Sequence, residues 1–176
     1  MNKNISKNKL NTNYLIYIMD GGCSNTDRKY IDMAAREATK SSVLYRHGCI
    51  AVVSGKVIAR GYNKYRTYSK DGLISDNCSC HAEIDVLRKC LKLNITKKIS
   101  LYIVRISNAE GLLNSVPCEQ CYNTMKQFPI KQVIYSSYDG EIKKVAFDDF
   151  YTNYTTSGQN ILKKNPEVYL TLRMKN

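Results

Sequence analysis

Tryptophan is absent from this 176-residue chain, histidine occurs twice, and acidic residues are outnumbered 15 to 27 by Lys and Arg. Long apolar runs are missing too. Stretches such as CIAVVS and ISLYIVRI can fill a core, but no window approaches the ~20 apolar residues of a membrane-spanning helix. No membrane partner is therefore expected. The N-terminal MNKNISKNKLNTN is basic and polar, and the apolar patch YLIYIM at 14–19 is too short for the core of a signal peptide. The expectation is an intracellular protein that is not secreted. The seven cysteines are an odd number, which excludes a fully paired disulfide framework. In a reducing compartment, closely spaced cysteines with a histidine elsewhere read better as metal ligands. Attention falls on the pairs Cys78/Cys80 and Cys118/Cys121.

The net charge of +12 would suit a phosphate-bearing partner. Yet 19 of the 27 basic residues are Lys, none stands in a run longer than two, and Asn (16), Ile and Tyr are abundant too. That bias is the one an AT-rich genome produces. Charge alone does not indicate nucleic acid. The 14 tyrosines supply the large contact surfaces that Trp would otherwise provide.

The length suits one compact domain. Residues 1–26 read as a basic N-terminal tail, 27–150 as the domain, and 151–176 as a C-terminal arm packing on it. Within 27–41, Asp27 offers an N-cap, and Ile31, Ala34, Ala35 and Ala38 share one helical face. The runs 49–54 and 57–62 flank Ser54-Gly55 as a hairpin. Residues 64–80 are a polar loop, and HAEIDVLRKCLKL opens a second helix at His81. ISLYIVRI (99–106) is a buried strand, 107–116 an excursion, and CEQCYNTMKQF a third helix ending at Pro129. KQVIYSS is a fourth strand, and Asp139-Gly140 turns it into a fifth, EIKKVAF. Ser157-Gly158 marks a break before a short helix at 159–164. Helices alternating with strands in so small a domain imply a three-layer α/β/α sandwich around a five-stranded mixed sheet.

Two short pieces carry chemistry, His81-Ala82-Glu83 and Pro117-Cys118-Glu119-Gln120-Cys121, each at the start of a helix. Cys118 and Cys121, at i and i+3, suit two ligands of one tetrahedral metal. His81 supplies a third, leaving one position open. Three protein ligands with an open position is the catalytic pattern of Zn2+, whereas structural zinc is closed by four. The positive ends of the two helix dipoles favour thiolate ligands. Glu83, two residues from His81, can take a proton from water and deliver it to a ring nitrogen and then to leaving ammonia. The pattern H-x-E…P-C-x-x-C is the signature of zinc deaminases, with the Glu outside the metal shell.

On these residues the chain resembles the cytidine and deoxycytidylate deaminase superfamily, which includes tRNA adenosine deaminases and polynucleotide cytidine deaminases. The resemblance runs over about 27–150 and is carried by GYN at 61–63, HAEIDVL at 81–87 and PCEQC at 117–121. It implies that Asn63 hydrogen-bonds the substrate sugar and that backbone groups of Ala82 meet the exocyclic amine. It also implies that Cys80 neighbours the metal without binding it, and that the protein is a homo-oligomer. The chain departs from the family in the excursion 107–116, where members often pass directly into PCxxC. Ser115-Val116-Pro117-Cys118 matches the polynucleotide enzymes' S-x-[ST]-P-C only in part. The Asp139-Gly140 turn favours the antiparallel last strand of free-nucleoside enzymes.

The leading reading is zinc-dependent hydrolytic deamination of a cytosine nucleotide or nucleoside, of the deoxycytidylate or cytidine type. A polynucleotide deaminase is the alternative, since Tyr62, Tyr65 and Tyr68 beside Lys64, Arg66 and Lys70 could stack bases and hold phosphates. A zinc-stabilised binding protein is the third, and a catalytic-looking Glu83 argues against it. A closed zinc site formed with Cys78 and Cys80 would leave His81 and Glu83 unused. Cys23, Cys49 and Cys90 read as small apolar residues, Glu119 and Gln120 as solvated first-turn residues, and His47 as a loop residue.

Overall fold

The computed structural model describes residues 23–75, 78–109, 111–165 and 167. The apolar patch at 14–19, most of the tail 1–26 and the end of the arm lie outside them. Among the described residues eleven elements follow in order. They are α1 (Asn25–Ala38), β1 (Arg46–Val53), β2 (Lys56–Tyr62), α2 (Ala82–Lys92), β3 (Ile99–Ile106), β4 (Leu112–Leu113), α3 (Glu119–Met125), β5 (Ile130–Ser136), β6 (Ile142–Ala146), a 3-10 turn (Phe147–Asp149) and α4 (Ser157–Lys164).

The sheet order is β2-β1-β3-β5-β6. β3 and β5 are parallel, as a connection through α3 requires, and the other pairs are antiparallel. The expected turn at Ser54-Gly55 is present with positive φ at both residues (48° and 77°), the primed hairpin geometry. Gly140, at φ 80°, closes the second hairpin.

Strand alternation divides the core between the two faces. Cys49, Ala51 and Val53 of β1 join Ile99, Leu101 and Ile103 of β3 beneath α2 and α3. Ile50 and Val52, with Tyr102, Val104 and Ile106, meet Ile31, Ala34, Ala35 and Ala38 of α1 on the other face. The three-layer sandwich follows. Helix α1 lies close enough to β1 that a Cβ on Gly48 would sit 2.0 Å from the Ala34 carbonyl oxygen. Only glycine fits there.

Three expectations need correction. Helix α1 starts earlier than 27: Ser24 is its N-cap, and Asp27 sits at N3 in a capping box. The helix also stops at Ala38, and the Ser41 hydroxyl beyond it donates to the Asn63 carbonyl at 2.8 Å. The excursion 107–116 contains β4, a sixth strand of two residues pairing with Arg105 and Ile106 at the end of β3. Ser115 then donates to the Ile103 carbonyl at 2.8 Å and accepts from the Ser136 amide at 2.9 Å, fixing the approach to Pro117-Cys118.

Asp27 also ties α1 to the sheet. Burial opposes its ionisation. Hydrogen bonds from Tyr102 Oη (2.6 Å), Lys144 Nζ (3.0 Å) and Ser24 outweigh that and hold its carboxyl at about 2. A carboxyl held below its unfolded value contributes stability that is complete above about pH 4 and is lost as pH falls toward 2. Asp27→Asn should cost about 1–3 kcal/mol at neutral pH. Urea melts across pH 2–5 should show the wild-type loss and a flatter profile in the variant.

Candidate active site

The two chemistry-bearing segments meet at the N-termini of α2 and α3. His81 is the N-cap of α2 (φ −74°, ψ 156°) and Cys118 the N-cap of α3 (φ −73°, ψ 163°). Neither side chain caps its own helix. The extended backbone swings both away from the helix amides and toward each other. Cys121, one turn into α3, completes the group.

His81 Nδ1 lies 3.2 Å from Cys121 Sγ and 3.5 Å from Cys118 Sγ. All three donor atoms lie within 4.8 Å of one another. A tetrahedral zinc with N and S ligands at about 2.0–2.1 and 2.3 Å spaces such donors roughly 3.5 Å apart. The residues therefore fit the ion, and the histidine offers Nδ1. Hydrogen bonding from the Cys121 thiol and the His81 ring holds the Cys118 thiol down at about 4 against its burial.

The other cysteines behave differently. Burial pushes the Cys80 thiol up to about 12 and Cys90 up to about 11. Cys80 Sγ donates to the His81 carbonyl at 3.4 Å, one residue from the group and outside it. Cys78 is exposed. Among the described residues neither joins the three donors, so a closed four-ligand site does not form.

Glu83, in the first turn of α2, is buried. Burial pushes its carboxyl up and the neighbouring His81 opposes this. It is not one of the three converging donors. Its carboxyl contacts the Cys121 thiol and opens onto a cavity of about 340 Å³ that His81 and Cys118 also line.

Asn63 and Ala82 border the same cavity. Ala82 is fully buried, at the first position of α2. Asn63 Oδ1 accepts from the His47 amide at 2.8 Å, and its Nδ2 donates to the Tyr45 carbonyl at 2.7 Å. Those bonds hold the side chain at the cavity and leave one amide hydrogen and one lone pair free.

Sequence reasoning missed three contributors. His47 is a β1 residue lining the cavity, not a loop residue. Burial holds its ring down at about 4, so it is neutral; its Nδ1–H donates to the Tyr45 carbonyl at 2.9 Å. Arg105 faces it across the β1–β3 register and lines the cavity too. Its guanidinium stands 4.5 Å from the Tyr45 ring centroid, and its Nε is buried without a hydrogen-bond partner. The one charge within ISLYIVRI was the available signal. The third is the C-terminal arm, whose Tyr154, Thr156 and Gln159 form part of the wall. Helix α4 begins at Ser157 rather than 159, capped by Thr156 with Gln159 at N3. That capping-box pattern was legible in principle.

The loop 64–70 takes no part in the lining. Lys64 pairs with Asp85 at 2.7 Å, and Arg66 Nε donates to the Tyr68 carbonyl at 2.9 Å.

The family described as "Cytidine and deoxycytidylate deaminase zinc-binding region" matches residues 24–137. Among solved structures, the deoxycytidylate deaminase of cyanophage S-TIM5 in complex with dCMP and dUMP is similar at 22% identity and TM-score 0.51. That match covers 68% of this chain and 90% of the other. A cytidine deaminase from Burkholderia pseudomallei is similar at 17% identity and TM-score 0.53, covering 69% and 92%. These likenesses establish the fold. No curated protein matches this chain in sequence.

The purified protein should carry about one zinc per chain, since three donors are already gathered. Cys118→Ala should lose the metal and with it much of the stability. Elemental analysis and thermal melts check both, and full zinc occupancy in Cys118→Ala would contradict the ligand set.

Proposed function

The chain belongs to the cytidine and deoxycytidylate deaminase zinc-binding family, and on that premise we propose that it hydrolytically deaminates a cytosine mononucleotide. Water replaces the exocyclic amine: a C–O bond forms at the amine-bearing ring carbon, the C–N bond breaks, and ammonia leaves. The observation that carries this reading is Glu83, buried on the same cavity wall as three donors spaced for zinc. His81, Cys118 and Cys121 would hold the zinc, which would supply Lewis acidity toward water.

The protein's own groups do the rest. Glu83 carries one proton of the attacking water to the ring nitrogen and then the second, from the new C–OH, to the amine, which leaves as ammonia. Backbone groups of Ala82 receive the exocyclic amine. Asn63, held by Tyr45 and His47, offers its free hydrogen and lone pair to the sugar. The deaminase unit, expected over 27–150, takes in all of α1 from its Ser24 cap, and the described part of the arm, 151–165, walls the cavity. A homo-oligomer in an intracellular setting, where seven thiols stay reduced, completes the proposal.

Arg105 favours a nucleotide over a nucleoside. It is the sole Lys or Arg among the described residues that line the cavity, and its buried Nε lacks a partner. A phosphate oxygen would supply both the acceptor and the charge. Asn63, just past the end of β2, bonds His47 of β1, which stands opposite Arg105 of β3, so a phosphate at Arg105 lies beyond a sugar at Asn63.

Glu83→Ala should retain zinc and the fold yet lose turnover by at least ~10². Loss of zinc together with activity would make Glu83 a ligand and overturn the reading. Mass spectrometry of dCMP, CMP, deoxycytidine, cytidine, tRNA and single-stranded DNA after incubation should show the one-dalton gain of NH2→OH on a mononucleotide. Arg105→Gln should reduce kcat/KM for that mononucleotide by the equivalent of about 1.5–3 kcal/mol and leave the residual rate on the nucleoside unchanged. Equal losses on both would remove Arg105 from phosphate binding. Conversion of tRNA or single-stranded DNA alone would favour the polynucleotide enzyme.

A further inference from the structure

The C-terminal arm reaches the metal site through one side chain. Gln159 Nε2 lies 3.5 Å from Cys118 Sγ and 2.8 Å from Gln120 Oε1. Its Oε1 accepts the Thr156 amide at 2.7 Å, closing the first turn of α4. One side-chain amide thus joins the start of α4 to the start of α3. A second link runs alongside it, the Glu119 amide of α3 donating to the Tyr154 carbonyl at 2.8 Å. That amide has no intrahelical acceptor, and α3 has no side-chain cap. The arm therefore satisfies one of the orphan amides at the start of α3. The same stretch walls the cavity through Tyr154, Thr156 and Gly158.

We propose that Gln159 is a positioning residue for Cys118, coupling the seating of the C-terminal arm to retention of the metal. An N–H directed at a ligating sulfur fixes the side chain's orientation and draws charge from it, and partners of this kind are worth about 10- to 100-fold in metal affinity or activity. Coupling is reciprocal: whatever Gln159 adds to metal retention, the metal adds to the seating of the arm. The wall that encloses the substrate is thereby held in place when the metal is present. The inference rests on the zinc site and not on the choice of substrate.

The experiment compares full-length, zinc-loaded wild type with Gln159→Glu, Gln159→Ala and Thr156→Ala. Gln159→Glu keeps an acceptor for the Thr156 amide and removes the donor to Cys118. Thr156→Ala weakens the α4 cap and leaves that donor in place. Zinc release to a chromogenic chelator should be about 10- to 100-fold easier in both Gln159 variants, with Thr156→Ala close to wild type. In cobalt-substituted protein the sulfur-to-metal charge-transfer band should shift in Gln159→Glu and not in Thr156→Ala. Unchanged zinc release in Gln159→Glu would overturn the proposal. So would equal loss in Gln159→Glu and Thr156→Ala, which would reduce Gln159 to part of the α4 cap. Absence of zinc from wild type itself would overturn the metal site together with this coupling. Should Gln159→Ala fail to fold, Gln159→Glu and the cobalt band decide.

Discussion

Everything at the cavity depends on two helices starting at one point. His81 and Cys118 each occupy an N-cap with extended backbone, and each turns its side chain away from its own helix. That choice gathers three donors within 4.8 Å. It also leaves helix-start amides without their usual side-chain acceptors, although the first turns of both helices carry an acid, Glu83 and Asp85 in α2 and Glu119 in α3. At α3 the orphan amide of Glu119 finds its acceptor far along the chain, in the Tyr154 carbonyl. The metal site and the C-terminal arm are thus parts of one solution to the same problem of unsatisfied amides.

The sheet supplies the other half of the site. Residues of one parity in β1 and β3 fill the core beneath α2 and α3, and the same parity continued toward the strand ends carries His47 and Arg105 into the cavity. A polar row thus extends a hydrophobic face without any change of backbone geometry. His47 is neutral and hydrogen-bonded to the backbone, so fixed positive charge enters the row at Arg105. The cavity divides accordingly, with the buried carboxyl of Glu83 under the helix starts and the cation of Arg105 over the strand ends. Opposed salt bridges hold the intervening loop: Arg88 grips Asp71 at 2.7 Å, and Asp85 takes both Lys64 and Lys89.

Much of this was legible in the sequence, and for physical reasons. Strand parity in CIAVVS and ISLYIVRI, the helical face of Ile31, Ala34, Ala35 and Ala38, and the Ser54-Gly55 turn are local signals. HAE and PCEQC put a histidine and an i, i+3 cysteine pair at two helix starts, a pattern that suits one zinc, so the three donors could be named before any fold was known. What stayed hidden was either locally ambiguous or long-range. The Ser24 cap was overlooked because Asp27 three residues on also reads as a cap, and in a capping box both take part. Strand β4 is two residues long and is defined by its pairing with Arg105 and Ile106, beyond the last β3–β5 pair at Ile103. His47 looked like a loop residue because the strand containing it begins at Arg46, before the apolar run. Gln159 is 41 residues from Cys118, and nothing local announces that contact.

The central claim is an open zinc site with three protein ligands, one nitrogen and two sulfurs. X-ray absorption at the zinc edge of the purified protein measures that ligand set directly. The account predicts two sulfurs at about 2.3 Å and two lighter scatterers at about 2.0–2.1 Å, one of them an imidazole nitrogen. Three or four sulfurs around the metal would contradict it, because Cys78 or Cys80 would then close the position at which the chemistry takes place.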